Sequence, residues 1–149
     1  MEKYKAVTNV VTEIKFDATS SHKDPFNDLE VDVLVDEPGG VKHRVPCFWS
    51  GGNQWKLRFS PRIPGEHRFK VEVTRGKDDL LSSYSGIITA REITAYDGDN
   101  LLLRRGALCL SENGRYLQHA DGTPFLWLAD DWWHGMSSRL RWPEEFKWL

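Results

Sequence analysis

The sequence is poor in the features that most often announce a function. It has two cysteines, Cys47 and Cys109, in 149 residues. They lie far apart and in no metal-ligand spacing, which argues against a disulfide framework and against a zinc site. Two unpaired, packed thiols are expected. The five histidines are scattered and no phosphate-cradling glycine loop occurs, so neither a metal nor a cofactor is expected. His22, His43, His67 and His119 should face solvent or bond locally. Charge of one sign is also missing: 20 basic and 22 acidic residues, spread along the chain, sum to a formal net charge of -2. That balance leaves no electrostatic footprint for nucleic acid or an anionic membrane, and neither is expected as a partner. No apolar run reaches membrane-spanning length. Met1-Glu2-Lys3-Tyr4-Lys5 opens the chain without the roughly 7–15 apolar residues of a secretion signal, so the chain reads as soluble.

With 40% hydrophobic and 28% charged residues, the chain can bury one core of ordinary size. Over residues 8–90 the dominant period is two, which sends alternate side chains to opposite faces of a strand. Leu29, Val31, Val33 and Val35 alternate with Glu30, Asp32 and Asp36 before Pro38-Gly39-Gly40 turns the chain. Trp55, Leu57 and Phe59 alternate with Lys56 and Arg58. Phe69, Val71 and Val73 alternate with Arg68, Lys70 and Glu72. Further strands are expected at Val10–Phe16, Lys42–Trp49 and Tyr84–Ala90, with turns at Ser50-Gly51-Gly52-Asn53 and at Ser60–Gly65. Pro46 marks its strand as an edge strand or a bulge. Six or seven short strands with no helical period among them predict an antiparallel β-sandwich, immunoglobulin-like in architecture but without the cysteine pair of antibody domains.

The character changes after Ile93, where a domain boundary is placed: residues 1–93 form the sandwich and residues 94–149 a second unit. Leu108–Ser111 and Arg115–His119 flank Glu112-Asn113-Gly114, a hairpin signal, and Asp121-Gly122 turns the chain again. Phe125-Leu126-Trp127-Leu128-Ala129 is a continuous apolar run, as expected of a strand buried on both faces. Trp142-Pro143-Glu144-Glu145 reads as the first turn of a helix, where proline and acids are both favoured. A strand, a loop and a helix start make the opening unit of a βα-repeat fold, with no second strand to pair with, so the chain reads as a fragment. Seven tryptophans are present, and Trp127, Trp132, Trp133, Trp142 and Trp148 crowd this last part.

Asp24-Pro25-Phe26-Asn27-Asp28, Val45-Pro46-Cys47-Phe48-Trp49-Ser50-Gly51-Gly52, Trp55-Lys56-Leu57-Arg58-Phe59-Ser60-Pro61 and Pro64-Gly65 occur in an order and spacing that resemble the immunoglobulin-like N-terminal domain of bacterial apiosidase-like glycoside hydrolases. Downstream, Asn113-Gly114-Arg115-Tyr116-Leu117 and Asp121-Gly122-Thr123-Pro124-Phe125-Leu126-Trp127-Leu128-Ala129-Asp130-Asp131-Trp132-Trp133 resemble the start of that family's catalytic (β/α)8 barrel. Where the family's common form reads Gly-Asp-Thr, this chain has Ala129-Asp130-Asp131. The resemblance implies an accessory sandwich followed by a hairpin and the first βα element of a truncated barrel. It also implies that the intact enzyme acts on a polysaccharide. The compartment stays open between the bacterial cytoplasm and secretion with a leader removed.

In such barrels functional groups sit at the C-terminal ends of the strands. Asp130, Trp132, Trp133 and His134 are therefore the expected substrate contacts, since a sugar needs hydrogen-bonding groups for its hydroxyls and aromatic faces for its ring. Core packing and capping are the competing roles. Adjacent Asp130 and Asp131 do not suit a hydrolytic pair, and the catalytic carboxylates are expected beyond Leu149. In the sandwich, Trp49 and Trp55 around Ser50-Gly51-Gly52 offer an aromatic sugar platform or, with more weight, a core or domain-interface role. The expected partners are carbohydrate, through the intact enzyme, the missing barrel, and a second copy of the chain through exposed barrel residues. The alternative is a carbohydrate- or protein-binding sandwich module without catalysis.

Overall fold

Alternation of apolar and charged side chains gives each strand one face to bury, and the chain answers with two sheets packed on that face. The computed structural model describes residues 1–129, 131, 139 and 141. Its strands are β1 (Glu2–Val7), β2 (Thr12–Asp17), β3 (Glu30–Asp36), β4 (Lys42–Pro46), β5 (Phe48–Trp49), β6 (Gln54–Phe59), β7 (Gly65–Arg75) and β8 (Ser85–Arg91). After them come β9 (Leu108–Leu110), β10 (Leu117–His119) and β11 (Pro124–Phe125). Short helical turns α1 (Pro25–Asp28), α2 (Asp79–Ser83) and α3 (Leu101–Arg104) lie between strands, each too brief to show a helical period.

One sheet has the order β1-β8-β7-β3-β4 and the other β2-β6-β5. Ile14 and Phe16 from β2 and Trp55 and Leu57 from β6 face Val31, Val33 and Val35 from β3 and Phe69 and Val71 from β7, all 4% exposed or less. Each such side chain contributes roughly 1.5–3 kcal/mol by leaving water. The mainly β sandwich read from the alternation is the observed fold.

Three features depart from the expectation. First, the larger sheet is mixed rather than wholly antiparallel: β1 pairs parallel with β8, from Glu2 opposite Gly86 to Val7 opposite Arg91. Second, the single strand expected over Lys42–Trp49 is two. β4 pairs with β3 through Pro46 opposite Asp32, whereas Phe48 and Trp49 pair with Lys56 and Trp55 of β6. Cys47, whose amide donates to the Val31 carbonyl at 2.8 Å, is where the chain passes from one sheet to the other. Pro46 ends an edge strand, where its missing N–H leaves no ladder bond unmade. Third, Cys109 is exposed and only Cys47 is partly packed, in place of two packed thiols. His67 and His119, at 0% and 3% exposure, are buried and bond locally, through Nδ1 to the Gly65 and Gly106 carbonyls.

The expected hairpin is present. β10 pairs antiparallel with β9 and with β11, closing a three-stranded sheet. Its first loop runs from Ser111 to Tyr116, fastened by the Ser111 amide on the Tyr116 carbonyl at 2.9 Å. The second turns at Asp121-Gly122, where the Asp121 carboxylate accepts the Thr123 amide at 2.9 Å. The His119 ring, tied by Nδ1 to the Gly106 carbonyl at 2.9 Å, meets Phe125 edge-on. The apolar run differs from the doubly buried strand expected of it: only Phe125 takes part in a strand, and Leu126, Trp127 and Leu128 are 83%, 70% and 88% exposed. The expected helix start at Trp142–Glu145 lies outside the described residues.

Candidate functional site

The change of sheet at Cys47 leaves an opening between the two sheets, and aromatic side chains line it. Its volume is about 240 Å³. Phe48 and Trp49 come from β5, Phe26 from α1, and Trp55 forms part of the wall, with Glu30 and Arg75 at the rim.

Local structure sets each ring. Asp24 and Asp28 fasten the turn of α1: the Asp28 carboxylate accepts the Asp24 amide at 2.9 Å, and the Asp24 carboxylate accepts the Asn27 side-chain amide at 2.7 Å. Pro25 is buried beneath the turn and Phe26 stands 69% exposed above it. Arg75 donates to the Phe26 carbonyl at 3.2 Å. The chain must therefore turn sharply past α1, which it does at Gly76 with φ +75°; a Cβ there would lie 2.2 Å from the Asp28 carbonyl oxygen. On the other side, Gly51 and Gly52 take φ +105° and +56° to close the β5–β6 turn. That turn aims the Gly52 carbonyl at the Trp49 indole N–H, 3.0 Å away. Trp49 and Phe26 then meet edge to face, with ring centroids 5.3 Å apart and planes at 81°. The guanidinium of Arg58 covers one side of Phe48 at 4.8 Å.

The two tryptophans weighed together in the sequence thus part company. Trp55 is core, at 4% exposure, while Trp49 is half-buried and holds the groove. Reading the sequence missed Phe26 and Arg75, which reach the site from segments some 25 residues away on either side; the Pro25-Phe26 pair is the one local signal that pointed to it.

Among the described residues, Cys47 is the one thiol that lines the groove. Burial pushes the Cys47 thiol up to about 12, the Asp32 charge adding to it, so the thiol stays protonated and unreactive. Several acidic side chains elsewhere in the described structure are committed to partners. Asp32 and Glu72 both pair with Arg44, at 2.8 and 3.4 Å. Glu13 bridges Lys56 and Arg58 at 2.8 and 3.1 Å, and their hydrogen bonds, Lys56 first, hold its carboxyl below the usual range. Asp97 is held low by Arg91 and by the Thr94 amide. Among the described residues no group of histidine, cysteine and acidic side chains could hold a metal ion. Nor, among them, is any helix long and apolar enough to cross a membrane.

Asp130, Trp132, Trp133 and His134, the substrate contacts expected from the sequence, lie outside the described residues. Their neighbour Asp131 is exposed.

Comparison with known proteins places the two halves of the chain. Residues 3–74 match the family model of a domain of unknown function, DUF5060, and residues 111–149 match that of the apiosidase-like catalytic domain. The two matches bear out the resemblance to an apiosidase-like glycoside hydrolase. Among solved structures, a Bacteroides vulgatus protein considered a glycoside hydrolase aligns over 82% of this chain, with a TM-score of 0.63 and 23% identity. This chain spans 21% of that protein's length, and the likeness concerns the fold. The filamin domain of Lin-41 aligns over 58% of this chain and 82% of its own, with 21% identity and a TM-score of 0.42, too loosely to carry an argument. No curated protein matches. The groove of Phe26 and Trp49 is built from residues 25–75, nearly all within the stretch that matches DUF5060, and Asp130 to His134 lie within the stretch that matches the apiosidase-like model.

Proposed function

We propose that this chain is the N-terminal accessory domain and the barrel start of a glycoside hydrolase acting on polysaccharide, and that it does not cleave glycans by itself. The observation that carries this reading is the succession of a DUF5060 match and an apiosidase-like catalytic match along a chain that spans only about a fifth of its structural relative. Glycoside hydrolysis needs two carboxyl groups facing one sugar, roughly 5–5.5 Å apart for retention or 6.5–9.5 Å for inversion. The carboxylates of the sandwich described above serve instead to pair cations and cap turns. In this reading the acid and its partner belong to later strands of the barrel, beyond Leu149. Asp130, Trp132, Trp133 and His134 contact the substrate, and residues 94–149 comprise the linker, the β-hairpin and the incomplete start of the barrel.

The test compares this chain with a protein extended through the downstream coding sequence, both assayed for release of reducing ends from plant and microbial polysaccharides. Hydrolysis by the extended protein alone is the expected result. Activity in the 149-residue chain, or none in either, would overturn the reading. The aromatic groove favours a second reading, a carbohydrate- or protein-binding module without catalysis. Limited proteolysis separates the two: a module whose C-terminal part wraps the sandwich would resist cleavage over residues 94–149 as firmly as over 1–93.

A further inference from the structure

We infer that the sandwich carries a saccharide-binding subsite, the groove in which Phe26 and Trp49 stand. Three observations support it. The Trp49 ring is fixed before any ligand arrives, by its N–H on the Gly52 carbonyl and by the edge contact with Phe26, so ordering it costs a ligand little. An indole whose polar edge is already satisfied offers its apolar face, and the C–H face of a sugar ring is its natural complement. The rim carries the opposite chemistry: the Arg75 guanidinium, one of whose N–H groups holds the Phe26 carbonyl, is a donor group and the exposed Glu30 carboxylate an acceptor group, the two functions that sugar hydroxyls require.

Size narrows the occupant further. At about 240 Å³ the groove is smaller than the roughly 300–1,000 Å³ of sites that enclose a drug-sized ligand. It suits one or two sugar units of a longer chain rather than a folded partner. A strand is also ill suited, because β5 is two residues long and offers little edge to extend.

The choice of saccharide as the ligand class rests on the glycoside hydrolase reading; the geometry of the groove does not. The experiment is an amide and indole N–H NMR titration of the 149-residue chain with cellotetraose, xylotetraose and oligogalacturonate. The expected result is a saturable shift of the Trp49 indole and of the Gly51, Gly52 and Phe26 amides by at least one of the three. Trp49→Ala and, independently, Phe26→Ala should each weaken binding at least about tenfold, while Trp127→Ala leaves it unchanged. Phe26 is a surface side chain, so its variant keeps the test valid should Trp49→Ala fail to fold. No response to any of the three, shifts confined to residues outside the groove, or binding that survives Phe26→Ala would overturn the inference. Binding by this chain when the extended protein hydrolyses nothing would sustain the subsite and sink the hydrolase reading; hydrolysis without binding here would do the reverse.

Discussion

Asp78 shows how one side chain can join distant parts of the sandwich. At 4% exposure its carboxylate accepts the Leu81 amide at 3.0 Å as N-cap of α2, the Thr19 amide at 2.9 Å and the Thr19 hydroxyl at 3.0 Å, with the His22 ring at 3.4 Å. Burial alone would raise its pKa, but these hydrogen bonds, Leu81 first, outweigh it and hold the group low. A carboxyl lowered on folding stabilises the fold above its unfolded pKa and loses that contribution as pH falls below about 4. Asp78→Ala should therefore cost about 2 kcal/mol at neutral pH, read from urea unfolding. Asp78→Asn should flatten the loss of stability between pH 5 and 3. An unchanged acid limb would mean that other carboxyls govern it. His67 is the opposite case: fully buried, it faces the Gly65 carbonyl through Nδ1 at 3.3 Å, while Nε2 has no partner among the described residues. An unsatisfied buried nitrogen is a cost, so His67→Leu should leave the melting temperature equal or higher. A fall of several degrees would show that Nε2 is bonded after all.

At the scale of elements, the sequence was legible where a strand buries one full face. β3, β6 and β7 follow alternations of valine, leucine and aromatics against charge, and Asn113-Gly114 and Asp121-Gly122 turn the chain where expected. β1 escaped notice because only Tyr4 and Ala6 point inward amid Glu2, Lys3 and Lys5, the charged dress of an edge strand. The passage from β4 to β5 also escaped, since a period of two is the same in either sheet and nothing in it records which neighbour a strand pairs with. The candidate site was half visible for the same reason: Trp49 beside two glycines is a local pattern, whereas its meeting with Phe26 is made by tertiary structure. Gly76 tests that tertiary link. Gly76→Ala adds both left-handed strain and a clash with Asp28, and should destabilise by at least about 1 kcal/mol while perturbing the Phe26 and Trp49 signals in NMR spectra. Stability within a few tenths of a kcal/mol of the parent would mean that α1 shifts freely and that Phe26 is not held in place.

For the whole molecule, exposed apolar surface lies at residues 126–128, apart from the packed sandwich. Surface of this kind seeks cover, and in this chain we propose that it drives self-association. Replacing Leu126 and Leu128 by serine should reduce the concentration dependence of light scattering and leave the sandwich's melting temperature unaltered. Equal scattering from both proteins would count against it. The parallel pairing of β1 with β8 has a further consequence, a mechanical one. Because the two strands run the same way, Glu2 and Arg91 lie at opposite ends of one ladder. Tension applied between the chain's beginning and whatever follows residue 91 therefore pulls the strands past each other and loads every hydrogen bond between them together, rather than peeling the bonds off one at a time. A domain so built is a clamp: it can transmit force between the two ends of that ladder.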